Sequence, residues 1–417
     1  MALNWVWVGF FTVAFATAVV RWLLGEHAIL QALMTAMFDG ARTGFEISLG
    51  LAGVMALWLG LMRVGERAGM IELLARLAGP LLRRLFPAVP QGHPAQGAMT
   101  MNISANLLGL DNAATPLGLK AMRELQTLNT EAPGTASNAQ IMFVVMNTAG
   151  LTLIPTSVIA IRQSMAIKQG LGAGFNAADI FLPVLLVTFI SLLAGVLAVA
   201  VCQRLPLWRA RFLLPVLAVG GLLAAAVTAL ARLPAEEAAR VAGATGAGVI
   251  LSVVMLFVLA GAFKRVNVYD AFIDGAKEGF GVAIQIVPYL IAILIAIGVF
   301  RAAGCMDYLM SGIGLAVAAL GFNTDFLPAL PVGLMKVLSG AGARGLMIDV
   351  MQVHGVDSFA ARLAAIVQGS TETTFYVLAV YFGSVGVQHA RHALACALFA
   401  DAVGLVAAIG VGYAMLR

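Results

Sequence analysis

The chain has 417 residues, of which 61% are hydrophobic and 11% charged, with a formal net charge of +5 and a mean hydropathy of +0.96. Soluble domains carry about 25% charged residues, so this balance excludes an ordinary soluble globular fold. The basic residues collect at segment ends, as in "RLAGPLLRRLF" (76–86), "CQRLPLWRAR" (202–211) and "KR" (264–265), which marks a cytoplasmic side and gives no indication of nucleic acid.

Long apolar runs recur along the chain, and about 20 apolar residues suffice to cross a bilayer. With no water in the hydrocarbon, backbone groups must bond within their own segment, so the fold class is an all-α polytopic membrane protein. The first span is 5–23. No basic residue precedes its apolar run, so it is read as a retained helix rather than a cleaved signal, with Trp5 and Trp7 suited to an interface. An amphipathic charged segment (28–45) leads into a membrane helix (46–63) and a weakly apolar piece (66–86). A polar region broken by Gly and Pro (96–127) precedes two further membrane helices, 139–161 and 178–203. After a linking helix (212–231) the order recurs: 242–263, 267–281, 282–300, 304–320, a second broken region within 324–350, then 358–382 and 389–416.

The recurrence is also visible in the residues. "FDGARTGF" (38–45) resembles "IDGAKEGF" (273–280), and the same offset pairs Gly69 with Gly304, Glu72 with Asp307, Leu74 with Leu309 and Gly79 with Gly314. The expectation is two homologous halves, 1–205 and 206–417. If each broken region enters and leaves on one side, each half crosses four times, and the linking helix inverts the second half. Inverted repeats with broken helices near the midplane characterise many secondary transporters.

The polar residues concentrate in three places. In "MNISANLLGLDNAATPLGLKAM" (101–122), Asn102 and Asn106 are four apart and share a helical face. Gly109 weakens the helix, Asp111 and Asn112 are good caps for the next one, and Thr115 and Pro116 follow in its first turns. Two half-helices meeting at "GLDN" are expected, with flanks too apolar for a solvated loop. Asp111, with Glu372 of the third region, is a candidate for coupling to H⁺ or Na⁺. The second region, "LPALPVGLMKVLSGAGARGLMID" (327–349), carries Lys336, Ser339 and Arg344. Cations at membrane depth have partners or line water, or else snorkel to the surface. The third, "VQGSTETTFY" (367–376), groups Gln368, Ser370, Thr371, Glu372 and Thr373 in an apolar helix, where the equivalent helix of the first half carries only Asn147 and Thr148. An intramembrane carboxylate is by default a functional group; interhelical hydrogen bonding would account for the threonines and less well for Glu372. The three cysteines are far apart in sequence. Of the five histidines only His389 and His392 are close, and no carboxylate joins them, so no metal is expected.

"NISANLLGLDNAATPLGLKAM" with "NTAGLTLIPTSVIAIR" (147–162) resembles spore maturation protein A. "LPVGLMKVLSGAGARGLMIDVM" with "QGSTETTFYVLAVYFGSVGV" (368–387) resembles spore maturation protein B. The resemblance covers nearly the whole chain, as a fusion of the two, and places it in the nucleoside-recognition, or gate, domain group. It implies a transport-type fold with paired re-entrant hairpins and supplies no substrate. The resulting expectation is a secondary transporter of a small polar or anionic solute, nucleoside-like or a small carboxylate, coupled to H⁺ or Na⁺. A bacterial cytoplasmic membrane is the expected location. A non-transporting scaffold in envelope or spore maturation is the alternative. Gate-domain relatives and the interfacial segments leave room for a homo-oligomer. No cofactor is called for, and the absence of HExxH, GxSxG and a Walker A loop argues against an enzyme.

Overall fold

The computed structural model describes residues 2–109, 111–172, 175–206, 210–230, 232 and 235–416. Nearly everything described is α-helix, as the hydrocarbon rule requires. The first half contains α1 (Ala2–Leu23), α2 (Ile29–Arg67), α3 (Met70–Leu85), α4 (Pro94–Leu107), α5 (Asp111–Gln126), α6 (Asn138–Thr148), α7 (Thr156–Lys168) and α8 (Phe181–Gln203). Helix α9 (Ala210–Leu230) links to α10 (Ala235–Phe263), α11 (Val268–Ala302) and α12 (Cys305–Ala319). The chain then runs through a 3-10 turn (Leu327–Ala329), α13 (Leu330–Leu338), α14 (Gly340–His354), α15 (Phe359–Ser370), α16 (Thr374–Gly383) and α17 (Ala393–Met415). Among the described residues, six helices are long and apolar enough to span a membrane: α2, α8, α9, α10, α11 and α17.

Element for element, α1–α8 match α10–α17, so the two-half organisation is present in the structure. The corresponding turns match too: Gly69 and Gly304 cap α3 and α12 at φ 75° and 79°, a left-handed conformation that glycine adopts without steric cost. Ser137 and Ser358 both cap the helix after the broken region, each accepting a backbone N–H three residues on.

Two expected boundaries are absent. The amphipathic segment 28–45 and the helix 46–63 form one helix of 39 residues, and 267–281 continues through Pro288 into one of 35. At 1.5 Å per residue these are ~50–60 Å long against a hydrocarbon core of about 30 Å, so they tilt or project beyond it. The two lie antiparallel in close contact. A Cβ on Gly44 would stand 3.0 Å from the Ile291 Cα, and one on Gly279 only 2.5 Å from the Met55 carbonyl. Small residues at such a seam let helix backbones approach. Arg63 bonds to both Glu66 and Glu278 at one end of the seam, and Arg67 meets Asp274 at 2.8 Å.

Helices α8 and α17 also run antiparallel. The Ser191 hydroxyl donates to the Ala400 carbonyl at 3.0 Å, and the Cys202 and Cys396 sulfurs lie 3.9 Å apart. Antiparallel pairing of corresponding helices is the relation inverted halves produce. The first helix of each half packs on the other half: the Trp7 indole N–H of α1 donates to Ala292 of α11, and Phe257 of α10 lies over Gly65 of α2. The halves therefore share one interior. The largest apolar cluster joins α1, α2, α7 and α8 to α11–α15, and a second joins α3–α6 and α8 to α16 and α17.

Candidate functional site

The expected continuous helices 139–161 and 358–382 are both broken in the structure. Helix α6 ends at Thr148, and helix resumes only at Thr156, after Pro155. Helix α15 ends at Ser370, and Thr371 is extended (φ −146°, ψ 172°) before α16 begins at Thr374. The local chemistry explains both stops. Asn147 donates to the Phe143 carbonyl at 2.8 Å, Thr148 to Val145 at 2.9 Å and Ser370 to Val367 at 2.7 Å. Such side chains offer the backbone an alternative partner and favour helix ends. A continuous apolar run hides these stops, because hydropathy does not report them.

The two breaks touch. The Glu372 backbone N–H donates to the Thr148 carbonyl at 2.8 Å, and the Glu372 side chain lies over Gly150. Each break also receives a hairpin. On the first side, α4 and α5 fold back on one another at Gly109 (φ 70°), where a Cβ would meet the Ile154 carbonyl at 2.9 Å, and Leu153 N–H donates to Leu107. On the second side, Ser339 interrupts α13 and α14 in an extended conformation, and its hydroxyl accepts from Gly342 N–H at 3.0 Å. The Thr373 side chain lies against Gly340, with Oγ1 only 2.7 Å from where a Cβ would stand.

The polar side chains fall into two clusters on either side of this contact. In the first, the Asn106 amide donates to Asn147 Oδ1 at 2.8 Å, and Tyr381 hydroxyl donates to the same oxygen at 3.3 Å. Asn102 donates to the Ala114 carbonyl at 2.8 Å and to the Tyr381 hydroxyl at 3.3 Å. Tyr381 is stacked on Phe143 at 5.9 Å. Asn102 is fully buried, and its Oδ1 has no partner among the described residues. Half-buried Glu372 lies within electrostatic reach of Tyr381 and forms no salt bridge among the described residues.

The second cluster surrounds Asp401 of α17. One carboxylate oxygen accepts from the Thr374 hydroxyl at 2.6 Å. Thr371 and the Lys336 ammonium act on the same carboxylate. Lys336, Ser339, Thr371, Thr373 and Asp401 are all 7–8% exposed. Lys336 is thus inside the protein rather than snorkelling. Arg344 is half-buried and engaged, Thr115 likewise. Gln368 is buried with its Oε1 unpartnered among the described residues, and Ser370 and Thr148 are spent on their own helices. The side chains of Asp111 and Asn112 lie outside the described residues.

Three functional-site features escaped the sequence reading. Asp401 lies inside the apolar span 389–416, where a lone carboxylate in a spanning helix carries the same signal as Glu372. Tyr381 had no distinguishing local pattern. Arg162 of α7 is fully buried, bonded to Asp179 and 5.2 Å over the Phe175 ring, with Arg362 of α15 on the same carboxylate. Beside the first cluster an apolar cavity of about 220 Å³ lies between α3, α4, α6, α8 and α9, with Asn106 and Gly150 in its wall. Among the described residues no three His, Cys, Asp or Glu side chains converge.

Comparison with known proteins agrees with this architecture. The nucleoside-recognition, or Gate, family matches residues 48–165 and 283–388, one stretch in each half, each running from the long α2 or α11 helix through the hairpin to the broken helix. Spore maturation protein B of Bacillus subtilis (strain 168) is 42% identical over 161 residues, 39% of this chain and 87% of that protein. Spore maturation protein A of the same organism is 41% identical over 165 residues, 40% of this chain and 80% of that protein, and the two match different parts of the chain. No solved structure matches. With the family matched over more than half its length, and over both halves, the chain belongs to the Gate nucleoside-recognition family.

Proposed function

We propose that this multi-pass membrane protein is a secondary transporter of a small polar or anionic solute. The observation that carries the reading is the contact between the two helix breaks, Glu372 N–H to Thr148 C=O, with a polar cluster on each side of it. Broken helices near a midplane, in halves whose corresponding helices run antiparallel, are the usual setting for a transported solute. The hairpins α4–α5 and α13–α14 serve as re-entrant gates that dip in and return to one side. Asn106, Asn147, Tyr381 and Glu372 supply hydrogen bonds for a polar solute, and Lys336 supplies a cation for an anionic one. A nucleoside-like solute follows from the family's description, a small carboxylate from Lys336. Charge at the segment ends favours a bacterial cytoplasmic membrane.

The test is counterflow in proteoliposomes across a panel of nucleosides and small carboxylates, with Glu372→Gln and Asn106→Ala alongside. Solute-specific exchange that both variants reduce at least tenfold is the expected result. No exchange and no ligand-induced thermal shift across the panel would sink the reading. Alanine tolerance at both clusters would favour a non-transporting scaffold in envelope or spore maturation, the latter being the process the relatives are named for.

A further inference from the structure

We infer that Asp401 is the protein's proton-binding site and that Lys336 is its counter-charge, so that protonation of Asp401 releases Lys336 toward an anionic ligand. Asp401 lies in the 23-residue spanning helix α17 at 7% exposure. One oxygen is taken by Thr374 at 2.6 Å, while Oδ1 has no hydrogen-bond partner among the described residues. A buried ionised carboxylate needs full pairing, and one with an unpartnered oxygen is positioned to take a proton.

The surroundings make this site selective for that event. Of the elements packed on α17, α8 carries no Asp, Glu, Lys, Arg or His, nor does α6. Helix α16 offers only Tyr376 and Tyr381. In α15 the one charge is Arg362, in the first turns and engaged with Asp179 and Asp357. The charges of α10 are confined to its first turns. Helix α13 presents Lys336, and the break before α16 presents Glu372. Asp401 and Lys336 are therefore the opposite charges that meet on α17, with Glu372 the other carboxylate at the break. Adding a proton forms one O–H bond on the carboxylate, with the proton drawn from water reaching the break at Thr371–Thr373. The pair then carries a net positive charge on Lys336, which an anion can neutralise. Return of the proton to water on the other side restores the pair.

Proton binding at Asp401 stands without the transport reading; its role in coupling rests on that reading. The purified full chain in lipid is titrated while the infrared carbonyl stretch of protonated carboxyl groups is recorded. A band that grows as pH falls is expected in the wild type, is lost in Asp401→Asn, and is retained in Asp307→Asn. Lys336→Gln should move its midpoint upward by about one pH unit or more, since an opposite charge has been removed. Thr374→Val should move it in the same direction, which keeps the test decisive if Asp401→Asn does not fold. A band unaffected by Asp401→Asn, or one lost in Glu372→Gln instead, or a midpoint indifferent to both Lys336→Gln and Thr374→Val, overturns the assignment. If the band behaves as expected and no solute is exchanged, the transport reading fails and the proton site stands.

Discussion

Truncating Asn147 tests whether the first cluster is a connected network. Asn147 Oδ1 accepts from Asn106 and Tyr381, and its amide donates to Phe143. Interhelical hydrogen bonds in a membrane protein average about 0.6 kcal/mol, so the two that join helices give about 1.2 kcal/mol in Asn147→Ala. The Asn106 amide and the Tyr381 hydroxyl then lose an acceptor, and a buried unsatisfied group costs about 1–3 kcal/mol. The Tyr381 hydroxyl keeps Asn102 nearby, which limits the second penalty. Asn147→Ala should therefore destabilise by about 2–4 kcal/mol, measured by equilibrium unfolding in mixed micelles. A cycle with Asn106→Ala should return a coupling of about 0.6 kcal/mol and no more than about 1.7 kcal/mol. A loss under about 0.5 kcal/mol, or strict additivity of the two variants, would refute the network and leave each asparagine acting alone.

Gly118→Ala should destabilise by about 1–3 kcal/mol through overpacking, because a Cβ there would stand 2.3 Å from the Tyr381 hydroxyl oxygen and 3.0 Å from the Asn102 amide; micelle unfolding reads it. Arg162→Met should cost less than the about 3–5 kcal/mol of a fully unpaired buried charge, because the Asp179 carboxylate keeps Arg362 at 3.8 Å, with part of the loss recovered in the double variant Arg162→Met/Asp179→Leu. Copper-phenanthroline oxidation should join Cys202 to Cys396, whose sulfurs are 3.9 Å apart, and leave Cys305 free, as peptide mass spectrometry would record. At the head of α17, burial and then the neighbouring Arg391 hold His392 below the ordinary imidazole pKa. Its neutral form is the folded one, so its contribution is present above the unfolded pKa and is lost as pH falls through the folded pKa; His392→Gln should flatten that part of a stability–pH curve.

Composition and spacing were enough for the membrane class, the two halves and the general position of the polar residues. The reason is that bilayer thickness and backbone hydrogen bonding act on each segment separately, so their imprint is local. The pairing of "FDGARTGF" with "IDGAKEGF" marks corresponding helices without any knowledge of how they pack. Asn102 and Asn106 were legible as one face because helical spacing alone puts them there, and both do reach the same network.

Only the tertiary structure decided where the helices break, and which polar groups meet. The apolar runs 139–161 and 358–382 read as continuous helices because a break at Thr148 or Thr371 leaves hydropathy unchanged; its freed groups find partners across the protein, as Thr148 does with Glu372. Asp401 acquires its significance from Thr374 and Lys336, on two other elements. Cys202 and Cys396 are 194 positions apart in sequence and adjacent in space because α8 and α17 run antiparallel. Which side chains become neighbours depends on how the two halves close on each other, a long-range arrangement that no single segment of the chain encodes.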